Sequence, residues 1–403
     1  MPPLDRLLAL GQLLLLGGGA AYLLLVTSLT IPSIQRHALY LHSLRFPLFL
    51  DLDNPVKYGL PVHRTLNLQL KTSDDVKIGA WLILPEADPD SFASDEAHPL
   101  ALEGPPSPAF MNASLASRPT ILFFHGNAAT RAMQFRVQFC KTYARAFGAN
   151  VLAIDYRGFG DSEGTPSEEG LIRDARAAWD WAIDSGARAE DVALVGLSLG
   201  TGVVAGLAAQ LSQEGISPRG VMLHAPFTTI AELLQTYHLF GIIPILRPLR
   251  SLPILSNFLL KYLQSPFETE SIIGNISAPI LIAHSHDDAD IPIIHSQNLY
   301  DTLLEPLLPT LPALPYLPSD LKQFDWPAFE RAKDDRLARK AALVATQEIP
   351  RFGSVHTFQK QGITGDFHPV TFVETQWGGH DRIGLQDTVI DIIGKAFFPK
   401  TSV

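Results

Sequence analysis

The sequence predicts the α/β class: a mostly parallel central sheet with helices on both faces, carried behind one apolar N-terminal helix. Three observations predict it. Short apolar runs of strand length alternate with amphipathic helical stretches from residue 121 to residue 373, the pattern of a parallel sheet buried on both faces. A Gly-Leu-Ser-Leu-Gly motif joins one of these runs to a helix of small residues. The chain has 403 residues, 46% hydrophobic and 18% charged, ample for a large core and unlike a disordered or fibrous chain.

Taken in order, residues 7 to 31 carry no charge and are rich in leucine, long enough to cross a hydrocarbon layer of about 30 Å as a helix. Residues 1–35 are therefore expected to anchor a single-pass membrane protein. A cleaved signal peptide is the rival, but the apolar stretch outruns the usual hydrophobic region and Arg6 is the only basic residue before it. Orientation is contradictory. Arg36, Arg45 and Lys57 follow the span and would hold the rest in the cytoplasm, whereas glycosylation triplets at Asn112 and Asn275 point to a lumenal domain.

Residues 60–400 are expected to form one catalytic domain. Runs 64–70 and 76–84 alternate apolar and polar residues around the turn Ser73-Asp74-Asp75 and predict an antiparallel hairpin. Residues 86–119, rich in Pro, Ser, Ala and acids, read as a surface excursion outside the core. The runs 121–124, 151–154, 192–195, 221–223, 279–283 and 370–373 then predict the parallel strands. Two further insertions are expected. Residues 230–263 are apolar but broken by Pro244, Pro248 and Pro253, a poor core helix and a good lid or membrane-facing cap. Residues 304–365 hold a Leu/Pro run and a charged helix near 329–343. The single cysteine, Cys140, lies in a helical stretch and reads as a packed thiol.

The chemistry centres on Gly196-Leu197-Ser198-Leu199-Gly200. A strand before it and a helix after it are the context of a nucleophile elbow, in which the serine sits on a strained turn and the glycines let strand and helix approach. A serine hydroxyl is a poor nucleophile near neutral pH, so a histidine must take its proton and a carboxylate must orient the histidine. The acid belongs after a later strand, where His284-Ser285-His286-Asp287-Asp288-Ala289-Asp290-Ile291-Pro292 follows the run 279–283. Spacing favours Asp288, with Asp287 the alternative one residue away; Asp290 reads as a turn residue. His380, in the glycine loop Trp377-Gly378-Gly379-His380 after the last run, is the base. His224, His356 and His368 precede that loop and read as structural or surface histidines.

The oxyanion of an acyl-transfer intermediate needs backbone donors. Leu199 N–H is one candidate, and Asn127 N–H, in the loop His125-Gly126-Asn127-Ala128 after the run 121–124, is the other. His125 is expected to brace this loop, and 155–162 to form a hydrogen-bonded turn beneath the site. A metal reading of His284, His286, Asp287 and Asp288 resembles the His-x-His-x-Asp-His run of metallo-β-lactamase-type hydrolases. It fails at Ala289, where the final histidine would stand, and leaves the serine elbow unexplained.

Together, Phe124-His125-Gly126-Asn127-Ala128, Asp155-Tyr156-Arg157-Gly158-Phe159-Gly160-Asp161-Ser162, Gly164-Thr165-Pro166-Ser167, the Ser198 elbow, Ala225-Pro226-Phe227-Thr228 and 284–292 resemble the membrane-bound monoacylglycerol and lysophosphatidylserine lipases of the α/β-hydrolase superfamily. The resemblance implies an α/β-hydrolase fold, an endoplasmic-reticulum-type membrane, hydrolysis of single-chain lipid esters, and a triad at Ser198, Asp288 and His380. It sides with a lumenal domain. No cofactor is expected, and the net charge of −10 argues against a nucleic-acid partner. Two alternatives use the same chain differently: an acyl-protein thioesterase with the same triad, or a catalytically silent lipid-binding membrane protein, for which a broken triad would be expected. Oligomeric state is not legible.

Overall fold

The computed structural model describes residues 4–86, 104–236, 238–239, 243–244, 253–315, 323–363 and 365–399. After helices α1 (Leu4–Ser28) and α2 (Pro32–Tyr40) come β1 (Thr65–Lys71), β2 (Lys77–Ile83), α3 (Pro108–Ser117), β3 (Thr120–Phe124), α4 (Gln134–Phe147), β4 (Asn150–Ile154), α5 (Glu168–Asp184), β5 (Val192–Leu197), α6 (Leu199–Gln213) and β6 (Gly220–His224). Helix α7 (Ile230–Thr236), a short pair β7 (His238–Leu239) and β8 (Ile243–Pro244), and α8 (Pro253–Leu260) interrupt the rhythm. It resumes with α9 (Thr269–Ile272), β9 (Ile280–Ser285), α10 (Ile294–Leu304), α11 (Trp326–Leu343), β10 (Ala345–Ile349), β11 (Gly353–Gln361), β12 (Phe367–Thr375), α12 (Gly379–Arg382) and α13 (Asp387–Phe397).

Ten strands make one sheet in the order β1-β2-β4-β3-β5-β6-β9-β12-β11-β10. The expected hairpin opens it, β1 on β2 with Leu68 opposite Ala80. Strands β4, β3, β5, β6, β9 and β12 are mutually parallel, as their unbroken apolar runs require. Every residue of β3, β4, β5, β6 and β9 is buried. One face packs against α5, α6 and α10 through residues such as Leu171, Val203 and Leu299. The other packs against α4 and α13 through Phe139, Val389 and Ile393. Cys140 is free and buried there, and burial pushes its thiol up to about 12.

Two segments read as insertions contribute more than expected. Within 86–119, α3 is a regular helix whose Leu115 is buried in the core and whose Ser114 hydroxyl donates to Asn150 Oδ1 at 2.6 Å; residues 87–103 lie outside the described residues. Within 304–365, the charged helix is found as α11, with no buried residue and a 2.9 Å bridge from Lys340 to Asp301. The stretch after it is sheet, because β10 and β11 extend the structure antiparallel beyond β12. Their polar sequences suit the edge of a sheet: β11 is partly buried, and β10, the last strand, is exposed at all but one residue. His356 sits on β11 and His368 on β12.

Of the lid segment 230–263, residues 237, 240–242 and 245–252 lie outside the described residues. What is described is broken into short pieces, with Pro253 at the first position of α8, where a missing N–H costs nothing. Over Leu8–Ser28, α1 is long and apolar enough to cross a membrane and is almost wholly exposed. Its last turns are the exception, because Val26 is buried against Leu234 of α7 and Leu259 and Leu260 of α8.

Candidate active site

The parallel strands point their C-terminal ends the same way, so the loops after β3, β5, β9 and β12 gather at one end of the sheet. Ser198 follows β5 with φ 53° and ψ −119°, a backbone region that side-chain-bearing residues avoid at a cost of roughly 1–3 kcal/mol. The surroundings impose it. A Cβ on Gly196 would sit 2.4 Å from Gly200 O, and one on Gly200 would sit 2.1 Å from Phe124 O, so only glycines allow β5, α6 and β3 to meet here. Ser198 N–H donates to His224 O at 3.0 Å, and Ser198 O accepts from Thr201 N–H at 2.8 Å.

The loop after β3 presses on the serine: a Cβ on Gly126 would lie 3.3 Å from Ser198 Cβ. Leu199 begins α6, so its N–H is one of the first-turn donors without a helical acceptor. Among the described residues neither Leu199 N–H nor Asn127 N–H has a hydrogen-bond partner. The carbonyls of the loop point the other way, toward Arg136. Its guanidinium donates to Asn127 O at 2.9 Å, Ala128 O at 3.0 Å, Thr130 O at 3.1 Å and Gly126 O at 3.3 Å. Burial lowers Arg136 to about 10, which leaves it charged near neutral pH. Ala128 and Ala129, at φ 57° and 55°, are held by N–H donation to Tyr40 O and Leu44 O at 2.9 and 3.0 Å.

Asp288 follows β9. Its Oδ2 accepts from His380 Nδ1 at 2.8 Å and lies 3.2 Å from His284 Nε2, while its Oδ1 accepts the N–H groups of Asp290 and Ile291 at 2.8 Å each. Burial alone would raise this carboxyl, but bonds from His284 and His380 outweigh it and hold it well below the usual carboxylate range. His380 follows β12 at the start of α12, with its side chain 14% exposed. Burial lowers its pKa, yet the bond and charge of Asp288, helped by Asp290 and Asp381, turn the balance and raise it above the ordinary value. Among the described residues the His380 ring and Ser198 Oγ share no hydrogen bond. Such contacts often tighten only with substrate in place.

Asp287, the alternative acid, does something else: its Oδ1 accepts Gly379 N–H at 2.7 Å and the Ser285 hydroxyl, fixing the loop that presents His380. The histidines of the metal reading do not converge. Both nitrogens of His284 are engaged, with Ser296 Oγ at 2.6 Å and Ile291 O at 2.9 Å, and His286 turns toward Glu374, 3.9 Å away. Asp288, Asp290 and His380 are close enough for a cation, but the Asp288–His380 bond already joins two of them.

Beneath the site, His125 Nε2 lies 3.1 Å from Asp155 Oδ1, and Arg131 donates to Asp155 Oδ2 and Asp161 Oδ1 at 2.6 Å each. The turn at 155–162 thus braces the loop as its charges suggested, and Tyr156 OH donates to His125 O at 2.9 Å. His224 is buried with Nε2 2.9 Å from Tyr143 Oη, and His356 contacts Thr346 and Ser354, so both are structural. Arg131 and Arg136 escaped the sequence reading. The partners that give them their roles, two carboxylates for Arg131 and backbone carbonyls for Arg136, are brought to them only by the fold.

A family model described as the alpha/beta hydrolase fold matches residues 119–236. The lysophosphatidylserine lipase ABHD12 of Danio rerio is 33% identical over 273 residues, covering 67% of this chain and 66% of that protein. Protein ABHD12B of Homo sapiens is 30% identical over 289 residues, 69% of this chain and 74% of that one. Among solved structures, an alpha-beta hydrolase from Vibrio vulnificus is similar at 15% identity over 85% of this chain and 81% of that chain, with a TM-score of 0.44. This chain spans 66% of the length of the zebrafish lipase, just under two thirds.

Proposed function

The chain belongs to the α/β-hydrolase superfamily, and from that premise we propose that it is a membrane-anchored serine hydrolase that cleaves the carboxylic ester of a single-chain lipid, a monoacylglycerol or lysophospholipid. The observation that carries the reading is the Asp288–His380 bond of 2.8 Å, placed by loops at the same end of the sheet as the strained Ser198 turn.

In this mechanism His380 Nε2 takes the proton of Ser198 Oγ as the oxygen attacks the ester carbonyl. Leu199 and Asn127 N–H groups receive the oxyanion, and they are suited to it because no other acceptor occupies them among the described residues. His380 then protonates the leaving alcohol, and water activated by the same ring releases the fatty acid from Ser198. Asp288 stays ionised throughout, holding Nδ1–H and favouring the imidazolium. Asp287 positions the His380 loop without touching substrate.

A lipid substrate is supported by the name of the zebrafish relative and by α1, whose apolar length of 21 residues spans about 30 Å as a helix. An enzyme held there meets a substrate that stays in the bilayer. The resemblance adds an endoplasmic-reticulum membrane, which imaging of the tagged chain checks.

The test is labelling in membranes with a fluorophosphonate probe, comparing wild type with Ser198→Ala, followed by hydrolysis of monoacylglycerols, lysophospholipids and acyl-thioesters. Labelling lost in the variant and ester turnover are expected. A folded wild-type chain that does not label would overturn the hydrolase, and preference for acyl-thioesters would replace the lipase with a thioesterase.

A further inference from the structure

The segment between α2 and β1 is unusually apolar where it meets water. Leu44 and Phe46 are nearly half exposed, Leu48 is 66% exposed and Phe49 is 90% exposed. Burying such a ring is favourable, and the fold forgoes it. Phe49 is held at φ 58° while Lys57 Nζ donates to its carbonyl at 2.8 Å and Asp51 N–H donates to Tyr58 Oη at 2.8 Å. A bulky residue in that conformation, pinned with its ring outward, needs something to cover it.

Three features identify the cover. Residues 31–50 begin three residues after α1 ends, and they hold Arg36 and Arg45 but no acidic side chain in a chain of net charge −10. An apolar strip with basic flanks fits a bilayer's interface, where rings enter the headgroup layer and guanidinium groups meet phosphates. The cap lies on the same side. Val26 of α1 packs on α7 and α8, Gln35 Nε2 donates to Tyr262 O at 3.1 Å, and Gln264 N–H donates to Gln35 Oε1 at 2.7 Å. Phe258 and Tyr262 there are also exposed. Finally, the strip is fastened to the loop carrying Asn127: Leu44 O accepts Ala129 N–H at 3.0 Å, and Phe46 O accepts the Thr130 hydroxyl at 2.9 Å.

We propose that residues 41–49 form an interfacial rim seated in the headgroup layer of the same bilayer that holds α1, setting the entrance to Ser198 on the lipid surface. The inference rests on reading α1 as a membrane span. A single-chain lipid then enters sideways from the leaflet, with its ester already at the depth of the oxyanion loop.

The experiment uses the full chain in phosphatidylcholine vesicles, with Cys140→Ala and one new cysteine carrying an environment-sensitive fluorophore, at Phe49→Cys or, in a second variant, Leu48→Cys. Glu190→Cys, exposed before β5 at the opposite end of the parallel strands, is the control. Nitroxide-bearing lipid is expected to quench the probe at 48 or 49 several-fold more than the probe at 190. Equal quenching would overturn the rim. A probe shielded from both water and nitroxide, with cross-linking between chains, would overturn it in favour of a second copy as the cover. Labelled chains that fail to float with vesicles would overturn the anchor reading, and the rim with it.

Discussion

His380 donates to Asp288 at 2.8 Å, and His125 lies 3.1 Å from Asp155, so the same two side chains meet twice at one end of the sheet. The outcomes are opposite. His380 keeps some contact with solvent and is surrounded by Asp288, Asp290 and Asp381, which overcome burial and raise its pKa. His125 is 1% exposed, and burial together with the Arg136 charge lowers its pKa despite Asp155. The neighbours separate them. Acids gathered around one ring make a base ready to accept a proton; burial, with the Arg136 charge beside it, makes the other a neutral post.

The comparison is broken most severely by removing the reactive pair. Ser198→Ala or His380→Ala should lower kcat by about 10⁴-fold or more with the melting transition nearly unchanged, whereas His125→Ala should move the melt first. Steady-state kinetics and calorimetry on the same preparations check this. A smaller loss separates the two adjacent acids. Asp288→Asn should cost about 10⁴-fold in kcat, because Nδ1 loses its ionised acceptor. Asp287→Asn, which keeps an oxygen for Gly379 N–H, should cost about tenfold or less, the size of an orienting contact beyond the reacting groups. Equal losses would reassign the acid.

On the bracing side, Asp155→Ala leaves Arg131 without its buried partner and with only the partly exposed carboxylate of Asp161 beside it. It should destabilise the chain by about 3–5 kcal/mol, read by denaturant titration. The smallest effects are in pH. His380 must be neutral to act, so its raised pKa puts the acid limb of kcat/KM above about 6.5, and Asp288→Asn should move that limb down. The stability contributions have opposite signs. That of His380, raised in the fold, is fully present below its unfolded value and fades as pH rises through the folded one. That of His125, depressed in the fold, is present above its unfolded value of about 6.5 and is lost as pH falls from there through the folded one. Melts of His380→Ala and His125→Ala across this range separate the two.

The parallel strands and the Ser198 turn were legible because buried runs are continuously apolar and the elbow needs glycine at fixed positions. Strands β10 and β11 were not, since strands at the edge of the sheet carry Thr, Gln and Glu among their apolar residues and resemble loop. Helix α3 was hidden by its Pro- and Ser-rich flanks, although Ser107 caps it by accepting Phe110 N–H. Spacing singled out Asp288, but nothing told Asp287 to hold Gly379, because that contact ends on a backbone N–H, which leaves no mark on residue identity. The Arg136 clamp was illegible for a related reason: its acceptors are backbone carbonyls, which leave no mark on residue identity.

The conformation of Ser198 also bears on how this chain drifts over generations. Glycine accepts φ 53° freely, so Ser198→Gly should fold better than the wild type by on the order of 1 kcal/mol while losing the nucleophile. Duplicated copies released from selection for chemistry would therefore gain stability from the very substitution that silences them, and a silent descendant with glycine at the elbow should outlast one with alanine.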